Sequence, residues 1–552
     1  MPSQALIALA TALSGASLVQ AVQPSTEVAA QRGPYIFNSV FDSLRKYGST
    51  IHPNGMSLYL ATVPEGVFFH HGNGQNSTPT SLDWLAYEIE HAEMFARNKF
   101  GGGPPGGGGP GGGGGHRNTL LEAMGDQPPP PPPPPHHRHG SPITDKDRSD
   151  QVALGGDNAA APKAEEEGHG WLHIYRTTRP LQFLYIDGMS GDKGSDGVID
   201  TQDYLLRAEA NKSDPTARPK PTQGPKQPGA PPGPAGEFAR AKDLCNLCTE
   251  WKLQGVIRTE GAGTEIIKCD FFDGLEEVQS LQRSDNAKRG GPGGGGPGGG
   301  PGGGPGGRPG RDGPGGGGSG GRRPGGPGGP PRGFNGPFNA ENGFRDVGAH
   351  RTVVDYQSMV SAFFFPVNLT NPDGERASFP RLISATNDEL VAIKAYLSDV
   401  VEARRDATMA PYNWRDVADL IVRRYAPRLT VLANASSEST TAAEDFSDAV
   451  LSMLYVFLDY SVTDGEQREA EALDRCTKFY VRTQTPLETE ADKLIFAGFE
   501  AVNAKICGTL FDALHTVSGK VSTDGASAVE TAKESIKALI AYLDWSVFEQ
   551  KN

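Results

Sequence analysis

The chain of 552 residues carries 52 Lys and Arg against 66 Asp and Glu, a formal charge of −14 with no basic stripe to offset it. That balance argues against nucleic acid as a partner and describes a solvated acidic surface. Its 73 Gly and 45 Pro are concentrated in tracts at 101–115, 128–135, 218–234 and 290–333. Such segments cannot bury enough apolar surface to offset their chain entropy, so they are expected to be disordered or locally polyproline-like spacers.

At the start, Ala5 to Val19 (ALIALATALSGASLV) is apolar and rich in small residues, and Val19-Gln20-Ala21 has the small-residue pattern of a signal peptidase site. Residues 1–21 are therefore expected to be a signal peptide and the protein to be secreted. No later segment approaches the ~18 consecutive apolar residues of a membrane helix. The charged ending WSVFEQKN does not fit a GPI signal. Sequons at Asn76, Asn211, Asn368 and Asn434 are consistent with glycosylation on surface loops. Among five cysteines the expected bridges are Cys476 with Cys507, then Cys269 with either Cys245 or Cys248, leaving one thiol free.

Residues 33–283 read as one α+β domain interrupted by a disordered insertion at 101–167. Long insertions are tolerated because loop-closure entropy grows slowly with length. SLYLATVPEGVFFHHG (57 to 72) reads as strand, and in VFFHHG alternation sends His70 and His71 to opposite faces. Gly72 then allows the backbone to approach a ligand closely. DWLAYEIEHAEMFA (83 to 96) reads as a short strand running into a helix, with Tyr87 at the junction. GWLHIYRTTRPLQFLYIDG (170 to 188) reads as paired strands. QGVIRTEGAGTEIIKCDFF (254 to 272) reads as strand, Gly-rich turn and closing strand, with Glu265 at the start of a buried strand.

A Gly/Pro-rich linker over 284–349 is expected to let the two halves move independently unless they dock. From about Val353 the pattern becomes helical, so 350–552 is expected to be an all-α domain of five to seven helices. Apolar stripes occur at Val417, Leu420, Ile421 and Tyr425, at Leu451, Leu454, Tyr455 and Leu458, and at Ile536, Leu539, Ile540 and Leu543. Thr386-Asn387-Asp388-Glu389 carries a helix start signal. Phe446, Tyr455, Phe457 and Tyr460 are expected in the core.

His71-Gly72 on an early strand, Tyr87 followed by Ala92-Glu93-Met94-Phe95-Ala96, and Glu265-Ile266-Ile267 on a later strand together resemble the ADP-ribosyltransferase fold with its split β-core. For a secreted chain the resemblance implies an ADP-ribosyltransferase-like or NAD-cleaving (NAD glycohydrolase) domain, with NAD as substrate. Glu265 would then be catalytic, orienting the ribose 2′-hydroxyl and stabilising an oxocarbenium-like state. His71 and Gly72 would hold the adenosine ribose or pyrophosphate, and Tyr87 would stack on nicotinamide. Asn73 stands where that family places Thr or Ser, and Gly263 stands where Arg-modifying members place Glu or Gln, which puts transfer to Arg acceptors in doubt. The whole chain also resembles an uncharacterised family of secreted proteins from filamentous fungi, in phrases such as FLYIDGMSGDKG and SMVSAFFFPVNLTNPD. That second resemblance implies no activity. The rival reading is a non-enzymatic secreted interaction or cell-wall-associated glycoprotein with a vestigial cleft.

Other motifs carry less. Gly72-x-Gly74 lacks the third Gly and the βαβ context of a dinucleotide fingerprint. No metal set is expected: His136, His137 and His139 lie in the insertion, and Asp187, Asp192, Asp196 and Asp200 depart from calcium-loop spacing and read as solvated turn residues. The acceptor or protein partner is left open.

Overall fold

The computed structural model describes residues 22–96, 170–192, 196–209, 234–283, 348, 350–408, 413–439, 441–483, 487–518 and 524–549. The expected signal peptide, the insertion at 101–167 with His136, His137 and His139, the sequon at Asn211 and the tract at 290–333 lie outside these residues.

In chain order the strands are β1 (Ser57–Val63), β2 (Phe68–Asn73), β3 (Asp83–Leu85), β4 (Trp171–Thr177), β5 (Leu181–Ile186), β6 (Gly255–Glu260), β7 (Gly263–Lys268), β8 (Leu275–Gln282) and β9 (Val353–Ser361). β1, β5, β6 and β7 are apolar or buried at nearly every position, the pattern of strands covered on both faces. They form the centre of a six-stranded sheet in the order β3-β7-β6-β5-β1-β9, in which β5 and β6 run parallel. A parallel pair needs a crossover. Here it contains a π-helical turn (Thr201–Leu206) and an α-helix (Pro234–Glu250). β2, β4 and β8 form a second, three-stranded sheet.

The expected pairing within 170–188 is corrected by this topology. β4 pairs with β2 and β8, whereas β5 pairs with β1 and β6, so the two neighbours in sequence enter different sheets. Composition alone cannot distinguish a hairpin from two strands that part at a bend.

The helices are α1 (Thr26–Gln31), α2 (Gly33–Phe41), α3 (Lys46–Ile51), α4 (Ile89–Phe95), α5 (Pro234–Glu250), α6 (Asn387–Arg404), α7 (Trp414–Ala433), α8 (Ala442–Leu454), α9 (Gly465–Lys478), α10 (Glu490–Val517) and α11 (Gly525–Leu543). Thr386 and Glu389 close a reciprocal capping box at the start of α6, as their spacing predicts. Among the described residues, the six α-helices after residue 386 agree with the expected helical region. The region does not begin as a helix, however: Val353–Ser361 is β9, paired antiparallel with β1. Its burial on both faces hid the strand period.

The expected division between 33–283 and 350–552 is also crossed from the other side. α1 and α2 pack on α10, where Gly33 faces the Gly498 carbonyl so closely that a Cβ would lie 2.7 Å from it. Phe37 of α2 stacks against Phe499 and Trp545 at centroid distances of 4.6 and 5.4 Å. One continuous core thus joins the sheet to the helices, and the two halves dock. α10 is long and apolar enough to cross a membrane, yet it lies at the centre of this core.

Both expected disulfides are present: Cys476 with Cys507 ties α9 to α10, and Cys245 with Cys269 ties α5 to the end of β7. Cys248 is the free thiol, and burial pushes it up to about 12, well away from a reactive thiolate. Phe446 and Phe457 are core residues as expected, but Tyr455 and Tyr460 are 58% and 57% exposed. They stand on the turn after α8, where the helical stripe no longer dictates direction. Asp187 and Asp200 are likewise buried instead of solvated. The first accepts from Ser57 N at 2.8 Å and the second is held by Arg381 at 2.7 Å.

His52 fastens the end of α3 to the C-terminal segment, with Nδ1 2.8 Å from Asp42 and Nε2 3.3 Å from Asp544. Desolvation alone would lower its pKa, but the two carboxylates outweigh it and raise it to about 10. Relative to an ordinary value of 6.5, this contact contributes stability that is complete below pH 6.5 and lost as pH rises through about 10. Thermal melts of the intact chain should show that alkaline decline, and His52→Gln should flatten it. A variant that retained the same slope would show that the contact is not formed in solution.

Candidate functional site

Glu265 occupies the polar centre of the molecule. A two-residue turn between β6 and β7 sets Arg258 directly opposite Glu265, so both side chains leave the sheet on one face. Arg258 is fully buried. Its Nη2 donates to Glu237 of α5 at 2.5 Å and lies 3.2 Å from Glu265, while Nη1 donates to Gln202 at 2.7 Å. Glu237 also pairs with Arg240, whose Nε and Nη2 donate to the two oxygens of Asp203 at 2.8 and 3.1 Å. Charges alternate along Glu265, Arg258, Glu237, Arg240 and Asp203, so each buried ion is compensated by its neighbours. Desolvation opposes the Arg258 cation, but Glu265 and Glu237 outweigh it and raise its pKa. Asp203 and Gln202 come from the π-helical turn, a feature that often marks functional positions.

A second group lies on the rim of this network. His91 of α4 donates from Nδ1 to the Thr264 carbonyl at 3.1 Å, and its Nε2 is 2.6 Å from Glu260. Desolvation works against the imidazolium, but the Glu260 bond and charge prevail and raise its pKa. Glu88 accepts from Thr264 N at 3.0 Å. The loop after β5 closes over the carboxylate: a Cβ on Gly191 would lie 3.0 Å from Glu265 Oε2. The geometry offers a buried carboxylate, paired with Arg258, beside a His–Glu couple capable of holding or moving a proton.

The other predicted site residues are placed elsewhere. Tyr87 stacks on Phe69 at 5.1 Å, carries the Arg351 guanidinium over its ring at 4.5 Å, and shares a 2.6 Å hydrogen bond with Thr352. Burial raises its phenol pKa. The aromatic face expected to receive nicotinamide is thus taken by protein groups. His71 donates from Nδ1 to the Trp84 carbonyl at 2.8 Å and packs against His173 and Phe271. Glu265 meets Arg258, Tyr87 meets Phe69, Arg351 and Thr352, and His71 meets Trp84, His173 and Phe271. His70 leaves the opposite face of β2, as alternation requires, and its Nδ1 donates to the Tyr87 carbonyl at 3.1 Å.

Gly72 has a packing role in place of the expected ligand approach. A Cβ there would overlap the Ala92 carbonyl and lie 2.6 Å from Ala96 N, so the glycine seats α4 on β2. Gly72→Ala should destabilise the chain by about 1–3 kcal/mol through overpacking. A thermal melt unchanged by the substitution would mean that α4 is not seated there.

Arg258, Glu237, His91 and Glu260 were missed as site residues. Arg258 carried a legible signal, because a charged residue within GVIRTE, five positions before Gly263-Thr264-Glu265 across a tight turn, must find a cross-strand partner. Glu237 carried none, since α5 joins the site through tertiary packing.

Sequence comparison now defines the class. Residues 26–289 match the model of the YPL277C N-terminal domain, and residues 413–527 match that of the YPL277C C-terminal domain. Together these matches cover well over half of the chain, which belongs to the fungal family carrying this pair of domains. Among its relatives in Saccharomyces cerevisiae, the chain is 27% identical to "Uncharacterized protein YOR389W" over 92% of its own length and 77% of that protein's. It is also 27% identical to "Uncharacterized protein YPL277C", over 72% of its length and 74% of that protein's. No solved structure matches the chain significantly.

Proposed function

We propose that the chain is a secreted, disulfide-stapled interaction glycoprotein whose N-terminal half binds a partner without cleaving NAD. The observation that carries this reading is the occupation of Tyr87. Nicotinamide could stack there only by displacing the Arg351 guanidinium and crowding Phe69. Secretion is supported by the small-residue leader pattern, by the two cystine bridges, and by the exposure of Asn76, Asn368 and Asn434 at three of the four sequons. Endoglycosidase treatment of the protein purified from culture medium should increase its gel mobility. Recovery of an unmodified chain solely inside cells would count against secretion.

A second reading keeps ADP-ribosyltransferase-like or NAD-cleaving chemistry at Glu265, favoured by the Arg258-paired carboxylate lying beside the His91–Glu260 couple. Nicotinamide release from NAD, measured for the purified chain beside Glu265→Gln, separates the two. Release that disappears in the variant would establish the second reading. Absence of release together with absence of thermal stabilisation by NAD is the result expected of a binding protein.

A further inference from the structure

We propose that His71 and Asp83 bind a single divalent transition-metal ion of the zinc class. The bond from Nδ1 to the Trp84 carbonyl fixes the tautomer and aims the Nε2 lone pair away from the backbone. That is the arrangement in which a metal-binding imidazole is normally oriented, its other nitrogen donating to a carbonyl. His71 is 3% exposed, and Nε2 has no hydrogen-bond partner among the described residues. It faces Asp83 Oδ2 at 3.7 Å. The other oxygen of Asp83 accepts from Trp84 N at 2.8 Å, which fixes the carboxylate plane.

A lone pair facing a carboxylate across a gap closed on the His71 side is repulsive unless a donor or positive charge lies between them. The separation is too long for a hydrogen bond. Two metal bonds of about 2.0–2.2 Å span it at a wide angle. Imidazole nitrogen with carboxylate oxygen suits zinc and its neighbours in the first transition row. The Asp83 side chain is 34% exposed, which provides an entry path and room for water to complete the coordination. His173 is adjacent, but its nitrogens are engaged by Glu277 at 2.9 Å and the Gln75 carbonyl at 2.9 Å. Among the described residues no group of three acidic, His or Cys side chains forms a metal set, so this is a site with two protein ligands.

The test is calorimetric titration with Zn²⁺ of the full chain after chelator treatment. His136, His137 and His139 are replaced by Ala so that the histidines beside the polyproline run do not contribute. One saturable site is expected, weakened about tenfold or more by Asp83→Asn and by His71→Gln. Asp83 lies near the surface, so its variant tests the site even if His71→Gln fails to fold; circular dichroism monitors both. Absence of a saturable site, or an affinity unchanged by Asp83→Asn in a folded chain, overturns the proposal.

Discussion

Arg258→Leu is expected to destabilise the folded chain by about 3–5 kcal/mol, the cost of removing one partner from a buried ion pair. The guanidinium is fully buried and holds Glu237 at 2.5 Å and Glu265 at 3.2 Å from one nitrogen. With a leucine in its place, Glu265 and Glu237 both lose this cation, while Glu237 keeps its pair with Arg240. Adding Glu265→Gln to the leucine variant should recover part of the loss, because one of the two buried like charges that have lost Arg258 disappears. Glu265→Gln alone should cost much less, since Arg258 keeps Glu237 and Gln202. Urea unfolding of the four proteins completes the cycle. A loss below about 1 kcal/mol for Arg258→Leu, the range of a solvated pair, would show that water reaches the network.

The second large effect is a pH dependence centred on Asp187. Its carboxyl lies at the end of β5, buried, accepting from Ser57 N. Burial raises its pKa from 3.8 to about 7, against the opposing pull of the Ser57 bonds. A carboxyl raised on folding contributes stability that is complete below its unfolded value and lost as pH rises through the folded one. Stability should therefore fall between about pH 4 and 7, by as much as about 4 kcal/mol for a shift of this size. Asp187→Asn keeps an oxygen for Ser57 N and carries no charge, so it should remove the decline and be the more stable protein at pH 8. Denaturant midpoints for the pair at pH 4, 6 and 8 decide it. Parallel curves would mean that the Asp187 carboxylate is hydrated.

Several features could be read from the residues because they depend on local sequence. The β6–β7 hairpin follows from GVIRTEGAGTEIIK, since a two-residue Gly-containing turn sets its own register. The start of α6 follows from Thr386 and Glu389, which satisfy each other's backbone donors. Cys476 and Cys507 sit on helices that pack together, and their bridge was the favoured pair. Where burial is two-sided the signal fades: β9 has no alternation to display, and the same apolar run suited a helix.

The site divides along the same line. Glu265 was legible as a carboxylate on a buried strand, because such a residue must meet a cation or a ligand. Which cation it meets depended on Arg258 across the hairpin, with Glu237 arriving from a crossover helix. Tyr87 could not be separated from a ligand-stacking aromatic in the sequence, since Arg351 and Thr352, which cover it, lie more than 260 residues away. By itself the sequence determined the local elements, the caps and the opposite faces of His70 and His71, all set by short-range sterics and hydrogen bonding, whereas the choice of Cys245 over Cys248 as the partner of Cys269 was made by tertiary packing. Tertiary structure alone decided that β4 and β5 part into two sheets, that β9 and α10 join the halves into one core, and that His71 faces Asp83 across a gap. Those outcomes depend on burying apolar surface between segments distant in sequence, and no local preference encodes that.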